Sequence, residues 1–126
     1  MYLVDSHVLM WMLDDDSRLG DRARARIKDS VTFGSVASLV ELTIKRMAGK
    51  LSMPEPTVEL IRSQGLQVLD IRGSHATALN EFTQLARHDP FDRILLGQAS
   101  AEGLTFLTSD RRLLALGYEW IVDAGV

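Results

Sequence analysis

The stretch Ala86-Arg87-His88-Asp89-Pro90-Phe91-Asp92-Arg93-Ile94-Leu95-Leu96-Gly97-Gln98-Ala99 organises the rest of the chain. Asp89 stands directly before Pro90, which predicts a helix N-cap followed by proline at the first helical position. Asp92 then falls in the first turn, where a carboxylate meets the positive end of the helix dipole. Apolar residues recur behind this pair at helical spacing and predict a core-facing stripe: Phe91, Ile94, Leu95 and Ala99. Asp92 is therefore either part of a well-capped helix or an exposed metal ligand on a rigid element.

The bulk composition limits the classes of protein that this chain can represent. With 126 residues and no cysteine, we expect one domain over residues 1–126, without disulfides, a thiolate zinc site or a cysteine nucleophile. No apolar run reaches membrane-spanning length and the first residues lack a basic signal region, so we expect a cytoplasmic protein with no membrane partner. The net charge of −3 argues mildly against a nucleic-acid binder. That argument weakens if several acids are gathered around one cation.

Short apolar runs alternate with helical patterns along the whole chain. The runs cover residues 2–4, 31–35, 66–71, 104–108 and 119–122. This alternation predicts an α/β fold, a parallel sheet with crossover helices on both faces. In such sheets, ligands bind beyond the carboxyl ends of the strands.

Acidic residues from separate segments are expected to meet at that edge: Asp5, Glu41, Asp92 and Asp110. Two carboxylates about 5 Å apart repel by roughly 3 kcal/mol at an effective dielectric of 20, so such a group needs raised pKa values or a counter-charge. An all-oxygen site without histidine or cysteine ligands suits Mg²⁺ or Mn²⁺. These ions activate water and neutralise the leaving oxygen of a phosphate ester. The acids therefore predict metal-assisted phosphodiester hydrolysis.

The helical pattern over residues 36–48 carries a narrow polar line formed by Ser38, Glu41 and Lys45. Its apolar face is predicted to include Val36, Leu39, Val40, Thr43 and Met47. One interpretation is a largely buried helix whose polar line faces a cleft. The alternative is a solvent-facing stripe with a Glu41–Lys45 pair at i,i+4 spacing.

The chain resembles the PIN-domain ribonucleases, and specifically the VapC-type toxins of bacterial toxin–antitoxin pairs. The resemblance rests on segments 4–11, 37–45 with 49–51, 89–95 and 107–110, in this order and at this spacing. It implies a PIN-like three-layer α/β/α sandwich with a central parallel sheet of about five strands. It also implies Mg²⁺- or Mn²⁺-dependent cleavage of an RNA substrate, a homodimer, and inhibition by a small cognate antitoxin that covers the acidic pocket.

The resemblance also assigns roles to individual residues. Asp5, Glu41, Asp92 and Asp110 match the acidic ligands of the family. Thr108 matches the hydroxyl beside the last acid, and Ser6 stands where many members carry threonine. Ser38 and Arg93 are expected to support the site. Arg93 and Lys45 are candidates for contacts with substrate phosphate, with ion pairing to an acid as the alternative.

The histidines are given no direct role. A metal-bound water needs no separate histidine, so His7 and His88 are interpreted as structural or supporting, and His75 is expected on a helix surface. Residues Met10, Trp11, Met12 and Met47 are interpreted as core or dimer surface.

Two other classes of α/β protein need residues that this chain lacks. A haloacid-dehalogenase-like phosphatase needs an acid two residues after Asp5, where His7 stands, and a receiver domain needs a late lysine, but none follows Lys50. Within the PIN family, the alternatives are a housekeeping nuclease in RNA processing and a catalytically silent binding module. The silent module is expected to lack one or more of the acids, and none is missing here.

Overall fold

A parallel five-stranded sheet forms the centre of the computed structural model, which describes all of residues 1–126. The strands are β1 (Tyr2–Val4), β2 (Thr32–Ser35), β3 (Gln67–Leu69), β4 (Thr105–Thr108) and β5 (Ile121–Asp123). Their order across the sheet is β3-β2-β1-β4-β5, and every neighbouring pair is parallel. The predicted parallel sheet is thus confirmed.

Helices connect the strands and cover both faces of the sheet. They are α1 (Ser6–Leu13), α2 (Asp21–Asp29), α3 (Val36–Met47), α4 (Val58–Ser63), α5 (Gly73–Ala78), α6 (Pro90–Glu102) and α7 (Arg111–Leu114). Two short 3-10 turns, Leu79–Glu81 and Thr83–Leu85, lie between α5 and α6. The three-layer α/β/α sandwich is confirmed. None of the helices combines the length and apolar composition that a bilayer crossing requires.

Each face of the sheet has its own apolar core, because successive strand residues point to opposite faces. Leu3 and Phe106 lie in one core, together with residues of α6 and α7. Val4 and Leu107 lie in the other, together with residues of α1, α2 and α4. All four of these strand side chains are fully buried. Burial on both faces explains why the strands appear in the sequence as continuous apolar runs.

The order of the strands fixes where a ligand can bind. From β1 the chain proceeds outward through β2 and β3, and it then returns to the other side of β1 to form β4 and β5. The direction of winding therefore reverses between β1 and β4. Asp5 directly follows β1, and Asp110 lies two residues beyond β4. Both acids stand at the switch point where open α/β sheets bind ligands.

The prediction for the apolar face of α3 is wrong in part. Val40 and Met47, placed on its apolar face, are 46% and 80% exposed, and Ile44 is 51% exposed. The helix packs instead through Leu39 and Leu42, with its N-terminal part against α1 and α6. Because neighbours cover only one side of α3, an apolar stripe remains on its outer side.

The region after β3 also differs from the sequence-based expectation. The sequence predicts one helix here, with Ser74 as its N-cap and with apolar residues at helical spacing: Ala76, Ala78, Leu79, Phe82 and Leu85. In the structure, α5 ends at Ala78 and the 3-10 turns follow. His75 was expected on a helix surface and is only 1% exposed. It is buried because α5 packs against α6, where the imidazole Nε2 lies 3.1 Å from Glu102 Oε1.

Candidate metal centre

Asp5 is held rigidly where β1 passes into α1. It is the N-cap of α1, and the Val8 N–H donates to its Oδ1 at 2.7 Å. The hydroxyl of Thr108, from the end of β4, donates to its Oδ2. Burial raises the pKa of Asp5, although the bonds from Thr108 and Val8 oppose this effect. Each Asp5 carboxylate oxygen accepts one bond here and has a second lone pair, so both oxygens can still bind a ligand.

Thr108 links Asp5 to Asp110. While its hydroxyl donates to Asp5, the same oxygen accepts from the Asp110 N–H at 3.1 Å. Asp110 Oδ1 accepts from the Arg112 N–H at 2.8 Å and caps α7. The second oxygen, Oδ2, takes no part in this cap and lies 3.6 Å from Nε2 of His88. One oxygen of Asp110 is thus left to face the site.

Glu41 is 5% exposed and lies on the inner side of α3. The Ser6 hydroxyl donates to its Oε1 at 2.7 Å, and Lys45 Nζ donates to its Oε2 at 2.7 Å. Ser38 is buried beside them, with its hydroxyl oxygen 3.0 Å from that of Ser6. The hydrogen bond to Glu41 raises the pKa of Lys45. Of the two interpretations of the polar line of α3, the structure shows the line turned inward, and it also contains the Glu41–Lys45 pair.

Asp92 lies in the first turn of α6, which is capped as the sequence predicted: Asp89 Oδ1 accepts from the Phe91 N–H at 2.8 Å. The pKa of Asp92 is raised to about 6. Burial is the main cause, and the negative charges of neighbouring acids add to it: Asp89, Asp5, Glu41 and Asp110. Asp92 and Asp110 lie close enough to share one ion with His88. Asp5 is linked to Asp110 through Thr108, and Glu41 accepts a hydrogen bond from Ser6, the residue after Asp5.

His88 belongs to this group of residues, which the sequence-based reasoning missed. Its Nε2 lies 3.2 Å from Asp92 Oδ2 and 3.6 Å from Asp110 Oδ2. The side chain is 8% exposed, and Nε2 is buried without a hydrogen bond because the contact with Asp92 is poorly aligned. The available signal was the spacing of four residues between His88 and Asp92. The sequence analysis nevertheless interprets His88 as structural or supporting, because a metal-bound water needs no separate histidine.

Arg93 is half-buried on α6, and its Nε is buried without a hydrogen-bond partner. It forms no ion pair with any of the acids, in contrast to Lys45. His7 is exposed and makes no hydrogen bond through its ring. Neither residue belongs to the inner arrangement around Asp5 and Asp92.

The charges at this edge are poorly balanced. Asp5, Glu41, Asp92 and Asp110 face a single paired lysine, Lys45, so their full ionisation leaves a local excess of negative charge. A divalent cation would supply the missing charge, and carboxylate oxygens are its preferred ligands. The raised pKa of Asp92 and the unpartnered nitrogen of His88 are both consistent with a site that fits such an ion.

The largest cavity lies elsewhere. It measures about 420 Å³ and is lined mainly by residues from the end of α1, from α2 and from the end of α4, among them Arg24 and Gln64. These segments meet at the amino edge of the sheet, opposite the acids. The site is therefore recognised by its chemistry rather than by the volume of a pocket.

Comparisons with known proteins agree with this fold. A family model described as "PIN domain" matches residues 2–117. No curated protein matches the sequence at a significant level.

Three solved structures are similar to the chain, each over 97% of this chain and 96% of its own. A toxin–antitoxin complex from Klebsiella pneumoniae has a TM-score of 0.66 at 17% identity. DNA-bound VapBC from Salmonella typhimurium has a TM-score of 0.67 at 22% identity. VapBC2 from Rickettsia felis, bound to a DNA fragment from its promoter, has a TM-score of 0.66 at 15% identity. At these identities, the likeness concerns the fold.

Proposed function

The chain belongs to the PIN domain family, and from this premise we propose that it is a metal-dependent endoribonuclease acting as the toxin of a toxin–antitoxin pair. The observation that carries the nuclease proposal is the grouping of acids from four segments around a half-buried Asp92. Burial, with the charges of the neighbouring acids added to it, raises the pKa of Asp92 to about 6. Strongly perturbed pKa values cluster at functional sites, and grouped carboxylate oxygens are the preferred ligands of a divalent cation. The substrate class follows from the chemistry of such sites, which commonly act on phosphate esters.

Asp5, Glu41, Asp92 and Asp110 are the proposed metal ligands and catalytic residues, with Mg²⁺ or Mn²⁺ as the cofactor. When bound, the ion supplies polarisation of a phosphoryl oxygen and a lowered pKa for water. The protein's own groups then orient the acids. The Thr108 hydroxyl and the Val8 N–H fix the carboxylate of Asp5, and Ser6 fixes that of Glu41. Ser38 supports Ser6 from the same helix as Glu41.

Cations for the substrate phosphate come from α3 and α6. The Lys45 side chain is 41% exposed while it holds Glu41, so its ammonium can reach both the acid and a ligand. Arg93 is not paired with an acid, which leaves its guanidinium available for a phosphate oxygen. These local positive groups would offset the chain's net charge of −3 at the point where RNA binds.

The toxin role is supported by the similar solved structures, two of which are described as VapBC and one as a toxin–antitoxin complex. A protein partner also suits the outer side of α3, where Val40, Ile44 and Met47 form an exposed apolar stripe beside Lys45. We therefore propose a small antitoxin that covers the acidic pocket, and a homodimer of the toxin chain.

The nuclease proposal is tested by incubating the purified protein with single-stranded and structured RNAs in Mg²⁺, in Mn²⁺ and in EDTA. Internal cleavage is expected with either ion and none in the chelator. Cleavage that continues unchanged in EDTA would overturn the metal mechanism. Products shortened only from an end would overturn endonuclease activity.

The toxin role is tested separately by inducing the wild-type chain and Asp5→Ala in a bacterial host. Growth is expected to stop only with the wild type, provided that both proteins accumulate to equal levels. Equal growth, combined with RNA cleavage in vitro, would favour a housekeeping PIN nuclease. Equal growth without any cleavage would favour a silent binding module.

A further inference from the structure

We propose that His88 is a nitrogen ligand of the divalent cation, so that the site prefers Mn²⁺ to Mg²⁺. This inference rests on the proposed metal-dependent function, but it concerns a residue outside the set of acids. It changes the expected donor set from oxygen alone to oxygen plus one imidazole nitrogen. From the sequence, His88 is interpreted as structural or supporting and not as a metal ligand.

The position of the imidazole matches that of a ligand. Two atoms that bind one octahedral ion at about 2.1 Å in neighbouring positions lie roughly 3 Å apart. His88 Nε2 is 3.2 Å from Asp92 Oδ2 and 3.6 Å from Asp110 Oδ2. One ligand atom from each of these three residues can be chosen so that all lie within 4.8 Å of one another. A single ion can therefore be shared by the three side chains with only small adjustments.

The burial of His88 gives an independent reason for a ligand. Its side chain is 8% exposed, and Nε2 is inaccessible to solvent yet makes no hydrogen bond. Buried polar atoms in folded proteins almost always have a partner, because an unmet one costs free energy. The nitrogen faces two carboxylate oxygens and is not aligned for a hydrogen bond with the nearer one. A cation between them would satisfy all three atoms at once.

The residue is also held in place by the backbone. The His88 N–H donates to the Leu85 carbonyl at 2.9 Å, at the end of the second 3-10 turn. Asp89 follows as the N-cap of α6, and Asp92 lies one turn further along. The imidazole and the carboxylate of Asp92 are therefore positioned by the same helix start, which leaves little freedom to lose when an ion binds.

An imidazole ligand has a consequence for metal choice. Mg²⁺ is a hard ion that binds oxygen and keeps several waters. Imidazole binds the divalent transition metals more readily, in the order of their general affinity. A site with one nitrogen and several carboxylate oxygens should therefore bind Mn²⁺ more tightly than Mg²⁺, and this preference should depend on His88.

The test measures Mn²⁺ binding by titration calorimetry and ¹⁴N coupling to the bound ion by pulsed electron paramagnetic resonance. The variant is His88→Phe, which keeps a buried ring and removes both nitrogens, and His88→Asn is a smaller polar alternative. His7→Asn is the matched control, because His7 is exposed and forms no hydrogen bond or ion pair with the acids. Circular dichroism shows whether each variant is folded.

We expect ¹⁴N coupling in the wild type and in His7→Asn, and none in His88→Phe or His88→Asn. Loss of the imidazole should weaken Mn²⁺ binding on the order of tenfold or more, and Mg²⁺ binding by less than about threefold. Bound Mn²⁺ without ¹⁴N coupling in the wild type would overturn this inference and leave the metal-dependent function intact. Failure of the wild type to bind any Mn²⁺ would overturn both.

Discussion

Two polar clusters are buried against α6, and they differ in how their polar groups are satisfied. The first is the acidic site, formed by Asp5, Glu41, Asp92 and Asp110 with His88. The second is the polar network, formed by Ser35, His75, Gln98 and Glu102 with the backbone of residues 70 and 72. Both connect α6 to the carboxyl ends of strands. Only the acidic site combines like charges with an unpartnered nitrogen.

In the polar network, each buried side chain meets a partner of complementary chemistry. Gln98 is fully buried, with its Oε1 accepting from the Ser35 hydroxyl at 2.6 Å and its Nε2 donating to the Asp70 carbonyl at 3.3 Å. His75 Nδ1 accepts from the Arg72 N–H at 3.0 Å, and its Nε2 lies 3.1 Å from a Glu102 oxygen. These bonds hold α6 to β2 and β3 without surplus charge. The network is therefore complete without a ligand.

In the acidic site, by contrast, the buried polar groups do not all have partners of complementary chemistry. Its carboxylates repel one another, which contributes to the raised pKa of Asp92, and His88 Nε2 has no hydrogen bond. Burial of polar groups therefore has two outcomes in this molecule. Where the groups satisfy one another they fix the fold, and where they do not they are available to bind.

The largest effect is expected for loss of an acidic ligand. Asp5→Asn should lower the rate of RNA cleavage by more than about 100-fold. Loss of a residue that only supports a metal ligand costs up to about 100-fold, and loss of a ligand itself should cost more. Rates are measured in Mg²⁺ and in Mn²⁺, with Asp29→Asn as a surface control because Asp29 is exposed on α2. A fall of only a few fold would show that the Asp5 charge is not needed.

The next effect concerns the polar network. Gln98→Leu should lower the free energy of unfolding by about 2 kcal/mol, because the Ser35 hydroxyl and the Asp70 carbonyl lose a buried partner. Urea denaturation in EDTA measures the change. If the variant is as stable as the wild type, the hydrogen bonds of the polar network do not stabilise the folded state.

In the absence of metal, a substitution in the acidic site is expected to raise the free energy of unfolding, whereas Gln98→Leu lowers it. The pKa of Asp92 is raised from its usual 3.8 to about 6. The folded state therefore holds the proton more tightly, and stability is lost as the pH rises through this window. Asp92→Asn should remove that loss and stabilise the metal-free protein by about 1 to 2 kcal/mol above pH 6.

Thermal unfolding of the Asp92→Asn variant and of the wild type in EDTA, at pH 4.5 and pH 7.5, checks the sign. The difference between the two proteins should be small at the lower pH and larger at the higher one. Divalent metal should raise the unfolding temperature of the wild type alone. Equal stability of the two proteins at both pH values would contradict the free-energy cost that ionisation of Asp92 is expected to impose on the folded state.

A smaller effect is expected for the hydroxyl that orients Glu41. Ser6→Ala removes the 2.7 Å bond to Glu41 Oε1 and should lower cleavage by roughly tenfold. Ser6→Thr keeps the hydroxyl and should retain most of the activity. If both variants have the same rate, the Ser6 hydroxyl does not position Glu41.

The amino-acid order by itself determined the layout of the fold and the location of the acids. Continuous apolar runs predicted a parallel sheet. Because Asp5 and Asp110 closely follow two of those runs, their place at the carboxyl edge of the sheet could also be predicted. The Asp89-Pro90 cap was also predicted correctly, because capping depends on residues only a few positions apart.

Only the tertiary structure decided which side chains meet across those segments. Periodicity gives the angle of each residue around its own helix, but not which neighbouring helix covers it. For this reason Val40 and Met47, predicted on the apolar face of α3, are exposed, and His75, predicted on a helix surface, is buried. His88 reached the acids for the same reason: its position is set by a turn and by the packing of α6 against the end of β4. Local patterns fix local geometry, whereas long-range contacts depend on how whole elements pack together.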